Sequence, residues 1–216
     1  MIVILLGAPG SGKGTQSQLL SEKFGFEHIA TGDIFRAEIA SGTDLGKKAE
    51  SCVKAGKLVP DEIVTEMVAA RLEPGKNYLL DGFPRNLHQA QALGEMIKRN
   101  GAAIDLVCSL VLTKAEAIKR MSSRRICSNC AEVYNTLTRR PKVDDVCDKC
   151  GGKVIQRADD TEATAAKRLM VFEDLTHPLA AYYKSEQVFH EINAMHSPDQ
   201  VSAALAAVIE SAKAAR

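Results

Sequence analysis

The chain has 216 residues, 25% of them charged and 45% apolar, which is ordinary for a globular protein able to bury one sizeable core and carry an insertion. Its formal net charge of +1 excludes a bulk electrostatic case for a nucleic-acid or membrane-surface partner, so any basic site must be local. No stretch approaches the roughly 18 uninterrupted apolar residues of a membrane span, and no basic region precedes the first apolar run as in a secretory signal. The expectation is a cytoplasmic chain.

Apolar runs and helical stretches alternate along the sequence. "IVILL" (2–6) reads as a buried strand, and the helix after it (13–24) is closed by Gly25. "EHIA" (27–30) is a short strand, followed by helices near 33–40, 44–55 and 61–72. Pro60, Asp61 and Glu62 give the last of these a helix-starting proline and an acidic first turn. "NYLLD" (77–81) is a strand, 88–99 a helix, "DLVCSLVL" (105–112) a strand and "KAEAIKRMSS" a helix. The texture changes over 123–160, which holds four paired cysteines, Pro141, Gly151, Gly152 and many charges but no long apolar run. A helix over about 161–185, the strand "VFHEI" and an Ala-rich helix opened by Ser197-Pro198 complete the chain. In that last helix Val201, Leu205, Val208, Ile209 and Ala212 recur at helical spacing, a face for packing on a sheet. The alternation predicts an α/β fold with a parallel sheet flanked by helices. The segment 123–160 is then an insertion too poor in apolar residues to build its own core.

Three groups of residues carry chemistry. The first is "GAPGSGKGT", directly after the buried strand. Gly7, Gly12 and Lys13 have the spacing of a phosphate loop, in which glycines let successive N–H groups converge on phosphate oxygens and the next helix offers its positive end. Gly10, Ser11, Gly12, Lys13, Gly14 and Thr15 are the predicted cradle, although the hydroxyl expected directly after the lysine arrives one place late, behind Gly14. The second is a set of patches at strand exits: "TGDIFR" with Thr31 and Arg36, "AGKLVPDE" with Lys57, Leu58 and Val59, and "DGFPRNLHQA" with Asp81, Gly82, Phe83, Pro84, Arg85 and Gln89. A strand-terminal aspartate can organise Mg²⁺ and its waters. Two arginines can fork onto one phosphate, and an amide can read a base edge. Arg120 and Arg124, an i, i+4 pair on a predicted helix, with Arg157 and Arg168, add four more cations. Like charges at that spacing repel mildly, so a polyanion between them is a reason for the pair.

The third group is Cys127, Cys130, Cys147 and Cys150, two CxxC pairs separated by sixteen residues. That spacing lies inside the zinc pattern, and four protein ligands leave no open position, so the metal is structural. Iron or cobalt would also accept such a site. His28, His88, His177 and His190 show no ligand spacing and read as ordinary core or surface histidines.

Together these residues resemble adenylate kinases over nearly the whole chain, in the long form with a four-cysteine lid. The Gly between Lys13 and Thr15 is similar to the loop of nucleoside monophosphate kinases, where Mg²⁺ is held largely by nucleotide phosphates and water. The resemblance implies a P-loop kinase core (1–29, 60–122 and 161–216), a helical NMP-binding insertion (30–59) and a metal-containing lid (123–160). It implies transfer of the terminal phosphoryl group of ATP to AMP, giving two ADP, by a monomer. Thr31, Arg36, the Lys57–Val59 backbone, Gly82–Arg85, Gln89, Arg157 and Arg168 would then hold AMP. The phosphate loop, Arg120, Arg124, Val133 and Tyr134 would hold ATP, and Asp159 and Asp160 would help close the lid. Lys13, Asp81, Arg85, Arg120, Arg124, Arg157 and Arg168 would serve the transfer itself. Asn86, where a threonine is common, and "INAMHS" near the last strand, where Asp-Gly and a lysine are common, depart from the family pattern. Two rivals stand beside this reading. One is a kinase for UMP, CMP or GMP, against whose pyrimidine version Thr31 speaks. The other is a zinc-ribbon module for nucleic acid, disfavoured by the near-neutral charge and scarce aromatics.

Overall fold

The computed structural model describes residues 1–214. β1 (Ile2–Gly7), β2 (Glu27–Ala30), β3 (Tyr78–Asp81), β4 (Leu106–Val111) and β8 (Phe189–Asn193) form a parallel sheet in the order β2-β3-β1-β4-β8. Every residue of β1 is buried, as a central strand covered on both faces requires. Its side chains divide by the two-residue period of a strand. Ile2, Ile4 and Leu6 enter one core, with Phe83, Leu93 and Tyr183, while Val3 and Leu5 enter the other, with Leu20, Leu205 and Ile209. The second core is where α1 (Lys13–Phe24) and α9 (Pro198–Ala214) pack, so the apolar face predicted for the final helix is the face that is buried.

α2 (Thr31–Ala40) and α3 (Asp44–Ala55) project between β2 and α4 (Asp61–Ala69). α4 stops three residues short of the predicted end. α5 (Leu87–Arg99) and α6 (Lys114–Ser123) follow β3 and β4. The predicted helix over 161–185 is interrupted: α7 (Glu162–Val171) passes into a π-helical turn (Phe172–Thr176) before α8 (Leu179–Ser185). Pro178 has no N–H and constrains the residue before it, and His177 N donates to Phe172 O at 2.8 Å, five residues back.

The insertion forms an antiparallel sheet of β5 (Arg124–Cys127), β6 (Val133–Asn135) and β7 (Val154–Ile155), ordered β6-β5-β7. Its buried apolar cluster is small: Cys127, Tyr134, Cys147 and Val154. Arg124 is not on the helix of Arg120, as the sequence suggested. It has φ −66° and ψ 141° and is the first residue of β5. Ser123 Oγ donates to Lys119 O at 2.6 Å and accepts from Asn135 Nδ2 at 2.8 Å, side-chain bonds of the kind that close a helix. Among the described residues no helix is long and apolar enough to cross a membrane.

Candidate active site and metal centre

The carboxyl ends of β1, β2 and β3 open into one cleft of about 940 Å³ that runs from α2 and α3 to the β8–α9 loop. Open α/β sheets gather ligands at this edge. The glycines of the loop after β1 are there for space. A Cβ on Gly7 would lie 2.7 Å from Ser11 Oγ, and one on Gly10 would lie 2.7 Å from Ala117 O. Gly12 caps α1 in the left-handed region at φ 94°, a conformation glycine adopts without strain. At Gly14 a Cβ would sit 3.7 Å from the Asp81 carboxylate, which places the exit of β3 directly beside the start of α1.

Lys13 Nζ donates to Gly7 O at 2.7 Å and Ala8 O at 3.1 Å, folded back over its own loop. Burial brings its pKa down to about 8, against the pull of Asp81 and with the help of Arg85, Arg168 and Arg124. Arg85 and Arg157 are each brought down to about 10, first by burial and next by Arg168 and Arg36 respectively. Cations that depress one another in a cleft are arranged for a ligand with several negative charges.

Three aspartates pair with these arginines. Asp160, fully buried, takes a bidentate pair from Arg124 at 2.6 and 2.7 Å and a third bond from Arg168 at 3.2 Å. Asp159 accepts from Arg168 at 2.9 Å and lies 3.9 Å from Arg36. Asp33 is paired with Arg36 and lies 3.4 Å from Arg157, joining α2 to the segment between β7 and α7. Burial favours the neutral acid at Asp33 and Asp159, but the guanidinium groups prevail and hold both below the usual carboxylate range. Arg157 Nε remains buried without a partner.

The structure thus brings Lys13, Asp81, Arg36, Arg85, Arg124, Arg157 and Arg168 together. Arg120 stands apart: its Nε donates to Glu116 at 2.7 Å and its Nη1 to Ala194 O at 3.0 Å, at the β8–α9 end of the cleft. Thr31, Lys57, Leu58, Val59, Gly82, Pro84 and Gln89 line the opposite end. Phe83 does not; its side chain is fully buried in the first core. The Thr31 hydroxyl donates to Gly82 O at 2.9 Å, which leaves its lone pairs for a ligand. His28, read as unremarkable, lies in the cleft wall 3.6 Å from Asp81. Four contributors were missed from sequence: Asp33, Asp61, Glu116 and Thr176. Thr176, on the π-helical turn, donates to Arg85 O at 2.7 Å, and π turns are found at functional sites.

The four cysteine sulfurs lie within 4.8 Å of one another, with Cys127–Cys150 at 3.5 Å and Cys130–Cys147 at 3.6 Å. A tetrahedral ion with metal–sulfur bonds of about 2.3 Å needs sulfurs about 3.8 Å apart, so the four residues fit one. Second contacts suit thiolates as well. The Tyr134 hydroxyl donates to Cys147 Sγ at 3.5 Å, drawing that thiol down to about 6, and Asn129 N donates to Cys127 Sγ at 3.4 Å. Gly152 packs so closely that a Cβ would meet Asn129 Cβ at 2.8 Å and Cys127 Sγ at 3.0 Å. Tyr134 is committed to this centre while also lining the cleft beside Val133. For a divalent cation on a nucleotide, the Asp81 carboxylate and the exposed Thr15 at the start of α1 are the fitting oxygens.

Comparison with known proteins agrees with this geometry. The family model described as adenylate kinase matches residues 5–188. An adenylate kinase of Archaeoglobus fulgidus is 43% identical over 216 residues, covering 99% of this chain and 100% of the relative. One from Thermodesulfovibrio yellowstonii is 42% identical over 213 residues, with 97% and 99% covered. One from Caldicellulosiruptor bescii is 49% identical over 189 residues, with 86% and 88% covered. A phosphate loop, a converging set of arginines and a match over most of the sequence place this chain in the adenylate kinase family.

Proposed function

We propose the following division of labour within this ATP:AMP phosphotransferase. The loop Gly10–Thr15 and Lys13 bind the β- and γ-phosphates of ATP, and Arg120, pinned by Glu116 and Ala194 O, faces the donor base at the β8–α9 end. Thr31, Val59, Gly82 and Gln89 receive the acceptor base, and Arg36 and Arg85 its phosphate. Arg124, Arg157 and Arg168 then spread over the transferring group. The acceptor phosphate is already anionic, so no side chain need act as a strong base, and catalysis is positioning plus charge. Asp81 and Thr15 would hold the hydrated Mg²⁺ carried by ATP, which neutralises charge on the phosphates. The observation that carries the reading is the convergence of Lys13, Arg36, Arg85, Arg124, Arg157 and Arg168 on one cleft beside the phosphate loop.

In this reading residues 30–59 close over AMP and 123–160 close over ATP, excluding water that would otherwise hydrolyse it. Zn²⁺ is the ion we assign to the four cysteines, on thiolate softness and a closed tetrahedral set. The enzyme works as a monomer in the cytoplasm. The test is ADP formation from ATP and Mg²⁺ with AMP, GMP, CMP or UMP as acceptor. A large preference for AMP is expected. Equal turnover with UMP or CMP would overturn the acceptor assignment, and no turnover with any would overturn the whole scheme.

A further inference from the structure

Gln89 is almost completely buried, and both ends of its amide are bound. Its Nε2 donates to Asp61 Oδ1 at 2.7 Å, and its Oε1 accepts from the Arg85 backbone N–H at 2.8 Å. Asp61 itself is outside the cleft wall, in the first turn of α4. Asn86 Nδ2 donates to both of its oxygens, at 2.9 and 3.0 Å, and His88 Nδ1 lies 3.2 Å from Oδ2. Asn86 Oδ1 in turn accepts from Gln89 N at 2.9 Å, capping α5.

Amide ends are interchangeable in shape, so an amide reads a base only if something fixes which end is which. Here two groups do. An ionised carboxylate only accepts, and a backbone N–H only donates. A flipped Gln89 would set its oxygen against the carboxylate and its NH₂ against the Arg85 N–H, losing two bonds and making two repulsive contacts. The orientation is therefore single. What remains unused on the amide is one lone pair of Oε1 and one hydrogen of Nε2, an acceptor and a donor in fixed order on a residue that lines the cleft. A 6-aminopurine offers the complement, a donor at the 6-amino group and an acceptor at N1. A 6-oxopurine offers the reverse, an acceptor at O6 and a donor at N1.

We propose that Asp61 is a specificity-determining positioning residue: by locking the Gln89 amide in one orientation it makes the acceptor site take 6-amino and reject 6-oxo purine monophosphates. The inference rests on the reading that Gln89 faces the acceptor base. Asn86, the residue that departs from the family pattern, belongs to the same lock.

The experiment measures kcat/KM for AMP and for IMP, which differ only at the purine 6-position, in the wild type and in Asp61→Asn, Asp61→Ser, Asp61→Glu and Gln89→Ala. Asparagine and serine both offer donors, so either removes one of the two groups that fix the amide and leaves the Arg85 N–H alone to hold it, and serine is well tolerated at a helix start. The AMP:IMP ratio is expected to fall roughly 10–100-fold in Asp61→Asn and Asp61→Ser, the scale of a two-bond base contact. It is expected to recover toward the wild-type value in Asp61→Glu, which again only accepts. A merely structural role would lower the melting temperature and leave this ratio alone. A ratio within twofold of the wild type in whichever of the two donor variants folds overturns the proposal. If the ratio is unchanged in Gln89→Ala too, the placement of Gln89 at the base falls with it. If Gln89→Ala alone collapses the ratio, only the role of Asp61 falls.

Discussion

Replacing Asp160 by alanine removes a fully buried carboxylate behind the cleft arginines and leaves Arg124 and Arg168 without their shared counter-charge. The Arg124 pair at 2.6–2.7 Å and the Arg168 contact at 3.2 Å are the interactions lost. At an effective dielectric near 20, each charge pair about 3 Å apart is worth about 5 kcal/mol of Coulomb energy before desolvation is subtracted. Removing one partner of such a buried set commonly costs ~3–5 kcal/mol. Asp159 still holds Arg168 at 2.9 Å, so the lower end, about 3 kcal/mol, is the expectation. For a chain of this size that is a fall in Tm of roughly 6–12 °C.

Nucleotide phosphates supply the missing counter-charge, so saturating ATP or ADP should raise the Tm of Asp160→Ala by more than it raises that of the wild type. Turnover should fall about 10–100-fold, because Arg124 loses the bidentate hold that fixes its plane. Differential scanning fluorimetry with and without nucleotide, beside steady-state kinetics, tests both parts. A Tm within about 2 °C of the wild type, or a deficit that nucleotide does not shrink, would refute the argument.

Lys13 gives a pH prediction. Unliganded, it is charged below about 8, and a bound triphosphate raises its pKa again, so ATP affinity is full below pH 8 and declines as pH rises above it. Calorimetry at pH 9 in buffers of different ionisation enthalpy should find proton uptake on ATP binding, absent in Lys13→Met. Arg124→Ala should slow turnover by roughly 10²–10⁴-fold, whereas Arg120→Ala should mainly raise the KM for ATP; equal effects on kcat would refute the separation of the two sites. Stripping the metal with a chelator should release one ion per chain, unfold 123–160 to limited proteolysis and leave the parallel-sheet core protected. Unchanged cleavage of the stripped protein would argue against a metal-dependent lid.

What the sequence made legible was local. The phosphate loop is announced by an all-buried strand and glycines whose spacing is set by a turn of a few residues. The cysteine pairs are announced by the short reach of each CxxC. What it hid depends on long-range placement. Arg124 reads as helical because its neighbours favour helix, yet Asn135, twelve residues on, bonds Ser123 and the chain turns into a strand. Asp33 and Asp61 read by sequence as ordinary acids in a first helical turn. Apart from Arg36, three residues from Asp33, the partners lie 124 and 25–28 residues away, and no local pattern links them. Phe83 sits among residues that line the cleft, but cleft and core exchange within one turn of chain.

One strand carries both a cysteine of the metal centre and an arginine of the cleft: β5 begins at Arg124 and ends at Cys127. Ile126 pairs with Ile155 and Cys127 with Val154. Arg157 follows two residues after the end of β7, and its pKa is lowered first by burial and then by Arg36 and Arg124. The cluster of Cys127, Tyr134, Cys147 and Val154 is small, so burial alone gives this sheet little stability. The centre that includes Cys127 lies at the other end of the same strand. An ion held there would tie β5 to the turns that carry Cys130, Cys147 and Cys150 and so steady the strand that begins at Arg124. In the proposed scheme the metal would act without touching the reaction, by steadying β5, while Asp160 and Asp33 offset the repulsion among Arg124, Arg168, Arg36 and Arg157.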